Sequence, residues 1–427
     1  MHVLLIGATG FLGSAIHAAL AAKGHDVTAL YHRGAAPSWP EGEWRRADLG
    51  RLDEAGWRAL VAGQDAVINC AGVLQDNAWD STALVHAQGL QALIAACEKA
   101  HVARFIHFSA IGADRHDPTP FSRSKRAGET LLQQSFLDWI ILRPSVVVGR
   151  GTFGGSALFR GLAALPVLPV MPDTGSLQIV QRDDVVRTVL YFLRQDTPAR
   201  LALDLAGPER LSLVEVVALY RRWLGWPPAR HVRLPSWLAR CCYGLGDLVR
   251  RLGWRPPLSS TARREMVYGA VGDPAPWTEA TGITPASLEQ ALAPEPASVQ
   301  ERWFSRLYLL KAAGFTVFSL FWLATGIISM TLGYSIGVGL MREAGAGSLA
   351  GPCVIAGALA DLAVGLAIAF RPTTRRGLYG AIALTLFYIV AGTLLLPRLW
   401  LEPLGPLMKI WPILVFNLML LAILEER

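Results

Sequence analysis

Apolar and polar positions change rhythm twice along this 427-residue chain. Over roughly the first 300 residues, short apolar runs alternate with stretches of helical period, the pattern of an α/β fold built on a parallel sheet. His2 to Gly7, Asp26 to His32 and Ala66 to Ala71 predict strands, and Phe11 to Lys23 predicts a helix rich in alanine and leucine. RFIHF, WIILRP and LALDLAG predict further strands; FSRSKRAGE, the stretch after QIVQR to Arg194, and LSLVEVVALYRRWLGW predict helices. Asp183 and Asp184 stand where they are expected to cap the helix that runs to Arg194.

From Ser236 to Gly253 the period is helical and two-faced. Trp237, Leu238, Cys241, Leu245, Leu248, Val249 and Leu252 share one side, with Arg240, Asp247, Arg250 and Arg251 on the other. Two settings suit such a helix, the core of its own domain or the surface of a membrane. Gly272 to Glu301, rich in proline, alanine and acidic residues, reads as closing elements and linker. Beyond Lys311 the rhythm gives way to long uncharged stretches. Ala312 to Met341, Ala344 to Phe370 and Gly377 to Pro397 each reach the about 20 residues that a span needs, and Ile410 to Leu424 does so with Lys409 snorkelling. The expected architecture is a doubly wound α/β domain (1–225), a cap, amphipathic and linker region (226–301), and an all-α four-helix transmembrane domain (302–427).

Composition agrees with two solvents: 52% of residues are hydrophobic and 17% charged, too apolar for one soluble domain. The net charge of +7 does not point to nucleic acid, because the arginines are scattered and several flank the apolar stretches. Arg302, Arg306 and Lys311 precede the first span, and Arg371, Arg375 and Arg376 lie between the second and third. By the positive-inside rule both ends of this chain and that middle loop face the cytoplasm, in a multi-pass protein of the cytoplasmic (inner) membrane. The start HVLLIGA has no basic leader or cleavage site, so no secretory signal is expected. Cys70, Cys97, Cys241, Cys242 and Cys353 lack paired spacing, which argues for a reducing compartment and against a metal site.

The chemistry begins at GATGFLG, placed between a strand and a helix. Gly7 permits a tight turn, Gly10 lets backbone approach a pyrophosphate, and Gly13 lets helix pack on strand. Thr9, Phe11 and Leu12 complete the loop, and the helix start supplies free N–H groups. The spacing resembles the extended and atypical members of the short-chain dehydrogenase/reductase superfamily, and INCAG, RFIHFSAIGA, FSRSKRAGE and WIILRPSVVVGRG follow that family's segments in order. The resemblance implies a Rossmann domain binding NAD(P), with Asp48 and Leu49 at the adenine and Ala71 and Gly72 along the cofactor. At the end of the second strand, ALYHRG places Arg33, beside His32, where NAD-binding members carry an acid. A guanidinium there suits the 2′-phosphate of NADP(H), the expected cofactor, with NAD(H) the alternative and a solvated turn arginine the bland reading.

In that family a serine polarises the substrate oxygen, a tyrosine passes the proton and a lysine four residues later holds the ribose. Ser109 and Lys125 match the serine and lysine, but Phe121 stands at the tyrosine position. Losing a general acid costs about 10²- to 10⁴-fold. Two readings follow: an oxidoreductase whose quinone-like or lipophilic acceptor needs no tyrosine, or a catalytically silent NADPH-binding structural, assembly or redox-sensing protein of a membrane complex. The second is what similarity to the nucleotide-binding accessory subunit of respiratory complex I implies.

The C-terminal stretch, above all LWLEPLGPLMKIWPIL, resembles the DoxX-like family of four-helix membrane domains, whose links to quinone and sulfur redox systems imply a quinone-like partner. Asp361, deep in a span, costs at least about 2.5 kcal/mol unless paired or protonated. It shares a stripe with Gly357 and Gly365, where a neighbouring helix can approach, and Asn417 is a candidate partner. A structural clasp and a proton or quinone site remain equal alternatives for it.

Overall fold

A computed structural model describes residues 1–34, 36–38, 42–74, 76, 81–116 and 118–425. It opens with β1 (His2–Ile6), α1 (Phe11–Ala22), β2 (Asp26–Tyr31), β3 (Glu43–Arg46) and α2 (Glu54–Val61). The alternation continues through β4 (Ala66–Asn69), α3 (Gly89–Lys99), β5 (Arg104–Phe108), α4 (Pro120–Gln133) and β6 (Trp139–Pro144). Then come β7 (Val147–Val148), α5 (Gly155–Ala163), β8 (Val167–Val170), β9 (Val180–Gln181), α6 (Arg182–Phe192), β10 (Leu201–Leu205) and α7 (Leu213–Trp223).

Seven strands pair in parallel in the order β10, β6, β5, β4, β1, β2, β3. The central strands β1, β4 and β5 are apolar over most of their length because both faces are covered. Val3 and Leu5 point to one side, where they join Ile16 and Leu20 of α1 and Val185 and Val189 of α6. Leu4 and Ile6 point to the other, packing with Trp57, Leu90 and Leu93 from α2 and α3. Strand order reverses between β1 and β4, so the crevice at their carboxyl ends is the place where this topology opens a ligand site.

The segment after α7 forms β11 (Arg230–Arg233), α8 (Ser236–Arg251), α9 (Ser260–Tyr268), α10 (Ala275–Thr281) and α11 (Leu288–Leu292). Two short parallel pairs, β8 with β11 and β7 with β9, stand apart from the main sheet. The stretch read as closing elements and linker contains α10 and α11, and it is packed: Trp277 is fully buried in the sheet core, and its indole donates to Thr188 Oγ1 at 2.9 Å. The acidic pair also differs from expectation. Gln181, not an aspartate, occupies the cap of α6, and Asp183 and Asp184 sit inside its first turn, where negative charge still suits the helix dipole. Buried Asp184 accepts from the Ala286 backbone N–H at 3.1 Å and pairs with Arg187, tying the α10–α11 connection to α6.

The chain divides into two compact units, Met1–Asp247 with Pro256–Ser305, and Leu248–Arg255 with Arg306–Arg427. The second contains most of α12 (Val299–Met330), then α13 (Tyr334–Glu343), α14 (Ala350–Ala369), α15 (Thr374–Leu395) and α16 (Ile410–Ala422). Three of the described helices are long and apolar enough to cross a membrane: α12, α14 with its preceding turn, and α15. The fourth expected span is shorter: α16 has 13 residues, about 20 Å against a hydrocarbon core of about 30 Å. The first expected span breaks at Thr331–Gly333, leaving α13 as a separate helix of 10 residues. After α16, the Leu424 and Glu425 carbonyls accept from Lys311 Nζ at 3.3 and 3.2 Å, and Arg375 pairs with Glu425 at 2.8 Å. Lys311, the α14–α15 connection and residues 424–425 therefore share one end of the helical unit.

Asp361 is 3% exposed and accepts from Tyr388 Oη at 2.9 Å, a clasp between α14 and α15. Asn417, the partner considered from sequence, donates to the Leu378 carbonyl at 3.2 Å instead. The expected close approach at Gly365 is present: Ser319 Oγ of α12 donates to its carbonyl at 2.9 Å, and a Cβ there would lie 2.7 Å from the Leu323 side chain.

A Cβ at Gly13 would sit 2.1 Å from the Gly7 carbonyl oxygen. Gly13→Ala must push α1 off β1, an overpacking cost of about 1–3 kcal/mol. The expected outcome is a drop of several degrees in the thermal unfolding of the first unit, read by near-ultraviolet circular dichroism, together with weaker dinucleotide binding.

Candidate functional site

The site forms along the carboxyl edge of the sheet. After β1 the chain turns at Gly7, whose φ of +76° suits glycine, and a Cβ there would lie 2.9 Å from the Ala71 nitrogen. Gly10 caps α1 without a side-chain hydrogen bond, and no acidic residue occupies the first turn. The turn carrying Thr9, Phe11, Leu12 and Gly13 thus presents backbone donors and the positive end of a helix, a fit for a pyrophosphate. Arg182 adds a cation, its guanidinium 5.6 Å from the centre of the Phe11 ring.

At the end of β2, His32 Nε2 lies 3.1 Å from Asp48 Oδ2 in the loop after β3. Asp48 also accepts from the Gly50 N–H at 3.0 Å, and Leu49 beside it is buried among Trp57 and Leu90. Arg33 is exposed one residue beyond His32. The stretch Tyr31–Gly34 contains no carboxylate of the kind that would hold both ribose hydroxyls.

Between β4 and β5 the edge is dry. Asn69 Oδ1 accepts from the Ala71 N–H at 3.1 Å, and its amide nitrogen lies 3.3 Å from His107 Nδ1. Lys125, 4% exposed, donates to the Phe108 carbonyl at 2.8 Å, at the residue that precedes Ser109. Gly72 faces the same ammonium: a Cβ there would be 3.3 Å from Lys125 Nζ and 3.6 Å from His86 Nε2. Gly72, the lysine and His86 are thus brought together at one point of the edge. Ser109 Oγ is buried and has no hydrogen-bond partner among the described residues. Burial holds the Lys125 ammonium down to about 8, with the Glu129 carboxylate pulling the other way.

Phe121 lies four residues before Lys125 on α4, its ring edge-on to His86 at 5.8 Å. His86, which sequence reasoning missed, sits in a wide π-type turn ahead of α3. Its Nε2 accepts from the Val73 N–H at 3.1 Å, so the proton resides on Nδ1, 2.8 Å from Ser124 Oγ. Ser124 in turn donates to the Phe121 carbonyl at 2.8 Å. Burial, and then the Lys125 charge, keep His86 and His107 neutral, far below the usual imidazole range. His86 therefore braces the cofactor-side loop at Val73 against α4 and is not poised as an acid.

A second missed cluster lies at the start of α4. Glu265 of α9 accepts from Thr119 Oγ1, from Ser122 Oγ at 3.1 Å and from Arg115 Nη1 at 2.9 Å. Arg115 also donates to the Gly269 carbonyl at 2.5 Å and lies 5.0 Å from the Tyr268 ring. Glu265 stands 140 residues or more from these partners in sequence, so no local motif marks it.

Comparison with known proteins accords with this geometry. Residues 7–195 match the NAD(P)H-binding family, and residues 319–418 match the DoxX-like family. Over 242 residues the chain is 30% identical to ceramide reductase of Caulobacter vibrioides, a stretch covering 55% of this chain and 74% of that protein. The chain belongs to the NAD(P)H-binding, atypical short-chain dehydrogenase/reductase family. It is also 28% identical over 260 residues to NADH dehydrogenase [ubiquinone] 1 alpha subcomplex subunit 9 of Arabidopsis thaliana, covering 57% of this chain and 63% of that one. Among solved structures, UDP-glucuronic acid 4-epimerase of Bacillus cereus with NAD superposes at a TM-score of 0.54 and 18% identity, over 72% of this chain and all of that one, which speaks to the fold alone. The protein is thus an NAD(P)-binding, oxidoreductase-like Rossmann protein that carries a DoxX-like membrane domain.

A lowering of the lysine from 10.5 to about 8 corresponds to about 3 kcal/mol against the charged, folded state. Its folded value lies below its unfolded one, so the cost is fully present below pH 8 and is relieved as pH rises from there towards 10.5. Lys125→Met is expected to raise the unfolding temperature of the cofactor-free protein at pH 7, and to abolish that alkaline gain relative to wild type. Dinucleotide affinity should fall at the same time, as read by calorimetry; a variant that binds equally well would remove the lysine from the cofactor site.

Proposed function

We propose that the protein is an NADPH-dependent oxidoreductase of the cytoplasmic membrane acting on a lipophilic or quinone-like acceptor. The observation that carries the reading is Lys125, a buried ammonium bonded to the Phe108 carbonyl, one residue before the Ser109 hydroxyl that lacks a partner among the described residues. Holding a lysine in so dry a place costs stability, and a dinucleotide ribose at Gly72 would give it hydrogen-bond partners. Gly7, Thr9, Gly10, Phe11, Leu12 and Gly13 would hold the pyrophosphate, Asp48 and Leu49 the adenine, and Ala71 and Gly72 the path between. Arg33 would pair with the 2′-phosphate, which favours NADPH over NADH. The nicotinamide supplies a hydride when bound. Ser109 would orient the acceptor oxygen, and a proton would reach it through water from the Lys125 side, because Phe121 has none to give.

Two features support a lipophilic acceptor. The relative at 30% identity is named for reduction of ceramide, a lipid, and the DoxX-like unit holds this chain at a bilayer. The positive flanks Arg302, Arg306, Arg371, Arg375 and Arg376 support a cytoplasmic nucleotide domain. Phe121 favours a second reading, in which NADPH is held without turnover and the protein serves the structure, assembly or redox sensing of a membrane complex, in keeping with the complex I relative.

Binding of NADPH and NADH to detergent-purified protein tests the cofactor, followed by NADPH oxidation on adding a soluble quinone analogue. Arg33→Ala should weaken NADPH about tenfold or more while leaving NADH nearly unchanged, the loss of one charge-assisted pair of about 1.5–3 kcal/mol. Tight binding without oxidation by any lipophilic acceptor would favour the silent reading, and no binding would overturn both. In Phe121→Tyr, gain of ketone reduction, of the order of the 10²-fold that a general acid contributes, is expected if Ser109 and Lys125 form a competent remainder.

A further inference from the structure

α8 leaves its apolar face uncovered. Trp237, Cys241, Leu245, Leu248 and Leu252 recur along one stripe of the helix, and all are exposed, whereas Ala239, Tyr243 and Gly246 form the side packed on the protein. Trp237 and Leu245 are 61% and 62% exposed, so the stripe is not the core-facing side of this helix. Large apolar side chains in a continuous row on a surface call for an apolar partner.

The continuation of the helix identifies that partner. Leu248–Arg255 belong to the same compact unit as the apolar spans. The Leu252 carbonyl accepts from the Arg371 N–H at 2.9 Å, and the Trp254 indole donates to the Ala369 carbonyl at 2.7 Å. Trp254 also lies 5.1 Å from the Phe315 ring and 5.4 Å from the Arg371 guanidinium. Ala369 is the last residue of α14, and residues 371–373 join that span to α15. The end of α8 is thus fixed at the end of an apolar helix, beside Arg371 of the connection and near Arg375 and Arg376 in the first turn of α15. Arg240, Arg250, Arg251 and Arg255 add further cations along α8 and just beyond it.

We infer that α8 is an interfacial membrane helix, whose stripe from Trp237 to Leu252 lies among the headgroups and upper acyl chains of an anionic leaflet. A helix of 16 residues is about 24 Å long, and an apolar side with arginine flanks is the arrangement that holds such a helix in the plane of a bilayer. Anionic lipid attracts each nearby arginine by about 1 kcal/mol, and the long arginine side chains reach the phosphates while their stems cover apolar surface. The inference rests on the membrane character of the second unit and is independent of cofactor turnover.

Spin labels test it in the full chain, reconstituted in nanodiscs of phosphatidylglycerol and phosphatidylcholine without nucleotide. In a Cys241→Ser, Cys242→Ser, Cys353→Ser background, labels at Leu245→Cys and Leu248→Cys are compared with labels at Arg240→Cys and Arg251→Cys. Collisions with apolar oxygen relative to a water-soluble nickel complex should be several-fold more frequent at 245 and 248 than at 240 and 251, and the contrast should shrink in pure phosphatidylcholine. Equal nickel access at all four positions would overturn the inference by placing the stripe in water. Exclusion of both reagents from 245 and 248 would overturn it by placing a protein surface there. Since cofactor is absent, failure here leaves the oxidoreductase reading untouched, and failure of NADPH binding leaves this one intact.

Discussion

The close approach of α1 to the end of β1 is the constraint on which the nucleotide site depends. With only hydrogen at Gly13, the helix can start against the Gly7 carbonyl, and its first turn then lies at the edge of the sheet with donors uncapped. Those donors are expensive to leave dry and poorly served by this chain, since no acid stands in the first turn. The same geometry brings Gly7 against Ala71, at the start of the loop that places Gly72 beside Lys125 and His86. Lys125 reaches Gly72 from α4, a helix held by its Thr119 cap and by the Glu265 cluster at its start. A loop of glycines thereby sets the position of a lysine more than one hundred residues later.

The first half of the nucleotide domain was readable because its signals are local. Parallel strands covered on both faces are written as unbroken apolar runs, and the glycine loop combines three residues whose spacing has one mechanical use. Sequence reasoning placed Ser109, Lys125 and Phe121 on the right elements for the same reason. It missed His86, because a single histidine in a helical stretch carries no spacing signal, and its role comes from a turn wider than the regular helix. Glu265 was invisible for a different reason: its partners Arg115, Thr119 and Ser122 meet it only after the chain has completed the sheet. Trp277 shows the limit of composition, since a segment rich in proline and alanine reads as linker even when one tryptophan anchors it in the core.

In the helical unit the sequence announced apolar length well and helix ends poorly. Ala312 to Met341 has no charge to mark a break, yet the chain turns at Thr331–Gly333, where the Ile328 carbonyl accepts from both the Thr331 and Gly333 N–H groups. The carboxylate of Asp361 found a partner on the helix beside it, as the cost of a lone charge requires, but which partner depended on the rotation of α15. Tyr388 could not be chosen over Asn417 from periodicity alone.

Phe121 separates what the fold requires from what the chemistry requires. Lys125 is held dry against the Phe108 carbonyl, a burial that costs stability, and the brace from His86 to Val73 fixes the loop beside it. Phe121 offers no acid of the kind that an alcohol or ketone reaction uses at its last step. A buried lysine with no acid four residues before it leaves binding and turnover as separable properties of this domain: the first depends on the glycine loop and the dry ammonium, the second on a proton donor that α4 does not carry.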